Sequence, residues 1–370
     1  MYQHGGDIYN HKIKLDFSSN VNLLGTPPGV IEAACEGVTL SYRYPDTQCI
    51  KLREAISTAE QIPSEQIICG NGAADIIFSC VLSKKPQKAL IAIPTFHEYE
   101  QALSMMDCEI SYYQTKEETN FTLQEDFLEV ITEKVDIIFL CNPNNPTGNL
   151  ISRKLMEKIL FQCEKFDILL VVDECFMDFV QNPEDYTMKG LCNKSNHLFI
   201  LKAFTKLYAM PGLRLGYGIC NDKELIHRMK QASQPWNVSI PAQMAGIAAL
   251  KEKDYVKRSL ELLEVERSYL INELTDLEFK IYESMANYIF FKAKKGLYEK
   301  CLEKGILIRD CSNYQGLEEG YYRIVIKTQV ENKQLIEVLK EIINVKINYD
   351  TGNDVKCREK SDRSWTLPNI

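Results

Sequence analysis

The sequence predicts an α/β protein of two lobes, a large one built on a mostly parallel sheet and a smaller α+β one. Apolar runs of strand length alternate with helical patterns from about residue 66 to 220, the order that builds parallel strands with crossover helices. Beyond about residue 265 the pattern changes to short strands with two helices. At 370 residues and 45% hydrophobic content, the chain exceeds the size at which one core keeps growing and can fill two. The divisions fall at 1–28 for a polar arm, 29–265 for the large lobe, 266–346 for the small lobe with part of the N-terminal segment, and 347–370 for a polar tail.

The arm, HGGDIYNHKIKLDFSSNVNLLGTPP, has strand character only around Lys14 to Phe17 and is expected to lie across the surface. In YRYPDTQCIKLREAI, Pro45 and Asp46 mark a turn that opens an amphipathic helix. IICGNGAADIIFSCVL reads as a strand over 66–69, a glycine turn over 70–72 and a helix from near Ala73. After the apolar run KALIAIP, PTFHEYEQAL opens another helix with Thr95 as its N-cap. A strand over 135–140 leads into CNPNNPTG, where Asn and Pro force a sharp non-helical turn. Residues 168–172 read as a strand buried on both faces and closed by Asp173. A strand over 197–201 then runs into a polar turn carrying Thr205 and Lys206, with Arg214 ahead of a second short strand. A long helical pattern over 221–274 connects to the small lobe, where FKIYES, NYIFFKA, ILIRDC and YYRIVIK are strands and 297–304 and 332–343 are helices.

Several of these residues carry chemistry. A lysine at the mouth of a sheet among apolar neighbours has its pKa pushed down by desolvation, the condition for Lys206 to condense with an aldehyde. An ionised Asp173 at the end of a buried strand needs a cationic partner. The start of a helix after Gly70–Gly72 presents unpaired N–H groups of Gly72 and Ala73, a phosphate site needing no charged side chain. Arg309 and Arg323, on short strands, can each bridge a carboxylate or phosphate in a paired geometry that lysine cannot match.

A formal net charge of −8 argues against nucleic acid or an anionic membrane as partner, so an anion site must be a local basic cluster. The thirteen cysteines are scattered without a C-x-x-C pair, and Cys69, Cys141 and Cys175 fall in apolar runs. They read as reduced core residues of a cytosolic protein, with no metal site. The N-terminal MYQHGGDIYN lacks the apolar segment of a secretion signal, and no run reaches the length of a membrane span.

The order of Asn145 after one strand, Asp173 after the next, Lys206 after a third and then Arg214 resembles that of fold-type I pyridoxal-phosphate enzymes. The whole chain is similar to their histidinol-phosphate aminotransferase branch and, within it, most resembles the L-threonine O-3-phosphate decarboxylases, whose arm carries an N-terminal His-Gly-Gly. The resemblance implies a seven-stranded, mostly parallel sheet, pyridoxal 5′-phosphate as cofactor, a small phosphorylated amino acid as substrate, and a homodimer with sites at the subunit interface. It implies that Lys206 bears the cofactor, Asp173 pairs with the ring nitrogen, Asn145 donates to the phenolic oxygen and Phe96 stacks on the ring. Gly72, Ala73, Thr205 and Arg214 would hold the cofactor phosphate, with Tyr44 reaching that of the neighbouring subunit. His4, Gly5 and Asn20 would contact substrate, Arg323 the α-carboxylate and Arg309 the substrate phosphate.

Two positions depart from the pattern. Phe176 stands where many aminotransferases have a tyrosine bonding the phenolic oxygen, and Ala203 where relatives have a hydroxyl residue on the cofactor phosphate. The activity implied is decarboxylation of L-threonine O-3-phosphate to (R)-1-aminopropan-2-ol O-phosphate, for cobalamin biosynthesis. Histidinol-phosphate transamination is the rival, and phosphoserine an alternative substrate. A non-catalytic chain of this fold would be expected to have lost Lys206 or Asp173, and both are present.

Overall fold

The computed structural model describes residues 4–350, with side chains to residue 343. The chain opens with β1 (Leu15–Asp16), α1 (Pro28–Thr39) and α2 (Ile50–Glu60), whose entry is fixed by Asp46 accepting from the Ile50 N–H at 2.8 Å. There follow β2 (Ile67–Gly70), α3 (Gly72–Lys84), β3 (Lys88–Ile93), α4 (His97–Ser104), β4 (Glu109–Gln114) and β5 (Ile137–Cys141). Next come α5 (Arg153–Phe166), β6 (Leu169–Asp173), β7 (Leu198–Ala203), α6 (Phe204–Leu207) and β8 (Gly216–Cys220). Three helices, α7 (Lys223–Ala232), α8 (Ile240–Ala249) and α9 (Lys253–Asp276), lead to the small lobe. That lobe holds β9 (Lys280–Tyr282), β10 (Tyr288–Lys292), α10 (Leu297–Glu303), β11 (Ile306–Leu307), β12 (Arg309–Asp310), β13 (Tyr321–Val325) and α11 (Gln329–Asp350).

The large lobe is a seven-stranded sheet in the order β2-β8-β7-β6-β5-β3-β4, parallel except for β8, which is antiparallel to both its neighbours. Every residue of β5, β6, β7 and β8 is buried, as crossover helices on both faces require. Successive residues of β5 feed opposite faces: Ile137 and Phe139 join a core that continues into the small lobe through Phe291 and Ile324, whereas Ile138 and Leu140 join the other. The six strands that run together bring Gly70, Ile93, Cys141, Asp173 and Ala203 to one edge of the sheet, and the site forms there.

The structure corrects several expectations. The helical pattern over 221–274 is three helices, because Asp222 and Ser239 each cap a new start and Pro241 occupies the first turn of α8. Thr95 does not cap α4; Phe96 holds that position, and the Thr95 hydroxyl donates to Asn144 Oδ1 at 2.9 Å. Thr205 and Lys206 ride on the short helix α6 instead of a turn. ILIRDC divides, its first half pairing with β1 and its second with β13. The final helix continues past residue 346 to Asp350, and the rest of the polar tail, with Cys357 and Trp365, lies outside the described residues.

The arm is more than a surface strap. Leu15 and Asp16 pair with Ile306 and Leu307, Val325 donates to the Phe17 carbonyl at 2.9 Å, and Phe17, Ser18, Asn20 and Asn22 are buried. Farther on, the Asn22 N–H donates to the Lys206 carbonyl at 3.1 Å, so residues 15–22 join the small lobe to α6. Among the described residues every cysteine is free and most are buried, and no helix is long and apolar enough to cross a membrane.

Candidate active site

A cavity of about 290 Å3 opens where the sheet's strands end, between the large lobe, the arm and the small lobe. Lys206 faces it from α6, its Nζ 5.7 Å from the Phe176 ring centroid and without a carboxylate in ion-pair reach among the described residues. Desolvation pulls its pKa below the ordinary lysine value; Arg323 and Arg214 push the same way, while the Cys175 thiol and Glu98 oppose. A deprotonated amine is thereby favoured, the form that attacks a carbonyl.

Asp173 ends β6 at 4% exposure. Its Oδ2 accepts from the Tyr99 hydroxyl at 2.6 Å and its Oδ1 from the Cys175 N–H at 2.9 Å. The two donors fix the carboxylate at the cavity wall, and an ionised carboxylate so buried calls for a cation beside it. Tyr99, stacked 4.9 Å from Phe139 and edge-on to Phe96 at 5.7 Å, carries both duties of orienting Asp173 and seating Phe96 at the cavity wall.

At the far edge, Ala73 and Ala74 of α3 line the cavity with Thr205 and Arg214. Gly72 has φ of +83°, and a Cβ on it would lie 2.4 Å from Arg214 Nη2; the glycine lets the guanidinium settle over the start of the helix. Gly216 plays the reciprocal part, since its Cβ would meet the Ala73 nitrogen at 2.6 Å. Helix N-terminus, guanidinium and hydroxyl together make a phosphate cradle. Ala203 adds no donor to it.

The opposite wall belongs to the small lobe and the arm. Arg309 and Arg323 are directly opposite each other on β12 and β13 and are both buried at 4%. Arg323 donates to Asn145 Oδ1 and, at 2.8 Å, to the Ser18 carbonyl, which leaves its Nε without a partner among the described residues. With its carbonyl oxygen so occupied, Asn145 retains its amide N–H groups as donors. Arg309 donates to the Asp310 carbonyl at 2.5 Å and to Asn313 Oδ1 at 2.9 Å, over the Tyr314 ring. Asn20, buried at 3%, lines the cavity with an Oδ1 that has no hydrogen-bond partner among the described residues.

Gly5 fits because the arm passes so close to Ser18 that a Cβ would lie 2.2 Å from its carbonyl oxygen, and the next residue's N–H donates to Ser18 Oγ at 2.7 Å. His4 Nδ1 lies 3.4 Å from Glu98 Oε1. Burial and then the Arg309 charge lower the His4 pKa, and burial, Arg309 and His4 take that of His97 down to about 4.

Thus twelve of the sequence-derived site residues, from His4 to Arg323, converge on one cavity, with Gly72 just behind it positioning Arg214. Tyr44 does not join them: it is 76% exposed and stacks on Trp236 at 4.5 Å, outside the lining. Sequence reasoning missed His97, Glu98 and Tyr99. Their signal was present in PTFHEYEQ, three polar or titratable residues at the start of a helix that follows the carboxyl end of a buried strand. The residues fit pyridoxal phosphate: a desolvated lysine, a buried carboxylate for the ring nitrogen and a cradle that a side chain on Gly72 would fill.

Comparison with known proteins agrees. Residues 12–340 match the family model "Aminotransferase class I and II". The threonine-phosphate decarboxylase of Salmonella typhimurium is 35% identical over 89% of this chain and 91% of its own length. Among solved structures, the histidinol-phosphate aminotransferase from Clostridium acetobutylicum superposes with a TM-score of 0.84 at 32% identity, covering 90% of this chain and 99% of that one. The L-threonine-O-3-phosphate decarboxylase from Porphyromonas gingivalis does so with a TM-score of 0.80 at 26% identity, covering 89% and 99%. With its lysine, its buried aspartate and its phosphate cradle in register with this fold, the chain belongs to the aminotransferase class I and II family of pyridoxal-phosphate-dependent enzymes.

Proposed function

We propose that the protein decarboxylates L-threonine O-3-phosphate to (R)-1-aminopropan-2-ol O-phosphate as a step of cobalamin biosynthesis, a reading supported by the resemblance of the chain to the phosphothreonine decarboxylases. The observation that carries this reading is the pair Arg309 and Arg323, opposite each other on one antiparallel ladder, both buried, both lining the cavity. Like charges so placed repel. A substrate with two anionic groups, a carboxylate and a phosphate, relieves that repulsion, and the decarboxylase relatives act on such a substrate by name.

When bound, pyridoxal phosphate supplies the sink for the electrons of the bond broken at the α-carbon. Asp173, held by Tyr99, would pair with the ring nitrogen and hold its proton, and Lys206 would bear the cofactor and serve as the amine that moves protons at the α-carbon. Arg323 would take the α-carboxylate and orient the substrate at the α-carbon. Asn20 and Arg309 fix the rest of the substrate, and the arm through His4 and Gly5 excludes water. Phe176 packs edge-on against Tyr288 at 5.1 Å and brings no hydroxyl to the ring, a departure from the usual transaminase set. Tyr44 and the exposed position of Arg214 suit a homodimer in which the neighbouring subunit completes the cradle. A cytoplasmic enzyme is consistent with its free, buried cysteines.

Transamination of histidinol phosphate is the second reading, favoured by the close superposition on the Clostridium acetobutylicum enzyme. The cofactor-loaded protein, given L-threonine O-3-phosphate and no keto acid, is expected to release CO2 over many turnovers. Amino transfer from histidinol phosphate to 2-oxoglutarate with no CO2 from phosphothreonine would instead establish the aminotransferase. Phosphoserine in the same assay settles whether the substrate's methyl group is required.

A further inference from the structure

Glu98 and Asp173 are the acidic residues among the described residues that line the cavity, and the roles above leave Glu98 unused. It sits in the first turn of α4 with its side chain 13% exposed. Oε1 lies 3.4 Å from His4 Nδ1, and Oε2 is buried without a hydrogen-bond partner among the described residues. An ionised carboxylate with a bare buried oxygen, placed where an anion is to bind, is doubly unfavourable. A protonated carboxyl in the same place is a hydrogen-bond donor.

Resting on the dianionic-substrate reading, we propose that Glu98 is a specificity-determining residue that grips the substrate's phosphate as a neutral carboxyl, donating a hydrogen bond from Oε2 beside Arg309. The arm then carries His4 up to the same carboxyl and holds Oε1 while Oε2 faces the ligand. The charged or titratable groups that share its cavity are His4 from the arm, His97 beside it on α4, Lys206 from α6, Asp173 from β6, Arg309 from β12 and Arg323 from β13, with Tyr314 and, at the far edge, Arg214. Burial dominates their sum and lifts the Glu98 pKa to about 7; its own backbone N–H, Lys206 and Arg309 lower it, and Asp173 raises it. The group therefore changes charge near neutrality. A phosphate dianion arriving at Oε2 repels the ionised form, so binding and protonation are coupled: above about pH 7 the ligand must bring a proton with it.

The test uses the pyridoxal-phosphate-loaded protein and 3-phosphonooxybutanoate, the substrate without its amine, which cannot react with the cofactor and whose phosphate is a dianion at pH 8. Calorimetry in buffers of differing ionisation enthalpy is expected to show uptake of close to one proton at pH 8, and affinity that falls up to tenfold per pH unit above about 7. In Glu98→Gln, a permanent donor of the same shape, uptake vanishes and affinity at pH 8 is retained or improved. In Glu98→Leu the ligand binds roughly 10- to 100-fold more weakly at pH 6.5. The visible cofactor band confirms that each variant is folded and loaded. No uptake by the unaltered protein, the same uptake in Glu98→Gln, or no binding of the analogue overturns the proposal. Uptake without CO2 from phosphothreonine leaves Glu98 in its role and sinks the decarboxylase. CO2 without uptake does the reverse.

Discussion

The cavity has a floor and a wall of different origin. The floor, comprising Asp173, Lys206, Thr205 and Ala73, stands on consecutive strand ends and helix starts of one sheet, each placed by a register that neighbouring strands share. The wall is assembled from segments far apart in sequence: Ser18 meets Arg323 across 305 positions, and Tyr314 approaches Asn145 across 169. The floor is suited to keeping a cofactor and the wall to choosing a substrate. Lesions in the two should therefore have different signatures.

The largest effect belongs to the floor. Lys206→Ala is expected to abolish the visible cofactor band and lower turnover by roughly three orders of magnitude or more, and a surviving band would remove the centre of the assignment. Removal of residues 1–7 strikes the wall alone: the band should remain while turnover collapses, because His4 and Gly5 are lost and the cradle at Arg214 is untouched. Undiminished turnover would release the arm from any role in substrate binding. Arg323→Gln and Arg309→Gln should each lower kcat/KM by about 10- to 100-fold with cofactor binding unchanged, the cost of one charge-assisted anion contact. Steady-state kinetics beside a pyridoxal-phosphate titration separates the two quantities. Tyr99→Phe should do the converse and weaken cofactor binding about tenfold by taking one donor from Asp173. A change confined to KM would erase the distinction drawn between the two sides.

The smallest expected effect is on stability. Glu98 titrates at about 7 in the folded protein against an ordinary 4.5, so the fold binds that proton more tightly than the unfolded chain does. The stability linked to it is fully present below pH 4.5 and is lost as pH rises through 7. Glu98→Gln should therefore gain in Tm over the unaltered protein between pH 5 and pH 8, by about one or two degrees, as thermal melts at the two pH values would show. A gap independent of pH would mean that Glu98 is ionised throughout.

The same division explains what was legible in the sequence. Strands such as 168–172 announce themselves by unbroken apolar runs, and the polar residue that ends each run lands at the sheet's edge, so Asp173 and Lys206 could be placed before any coordinates. The edge strand β4, EISYYQ with no residue buried, gave no such run and went unassigned, as did α1 and α5. The arm was harder. Leu15 and Asp16 form a two-residue strand whose partner is 291 positions away, and no local pattern encodes that pairing. Glu98 and Tyr99 were hidden for another reason. Side by side on a helix, one turns to the cavity and the other to Asp173, and only the packing of α4 tells them apart.

The pairing of β1 with β11 also bears on the order in which the protein acquires its parts. A chain synthesised as far as Asp276 already contains every strand of the seven-stranded sheet, together with Lys206 and Asp173. At that stage the arm can already reach α6 through Asn22, but Leu15 to Ser18 lack their partners, since Ile306, Leu307, Arg323 and Val325 have yet to be made. The segment emerging first is thus seated last, by contacts of high sequence separation that form slowly. The sheet that carries Lys206 and Asp173 is therefore expected to form before the β1 pair closes over the substrate wall.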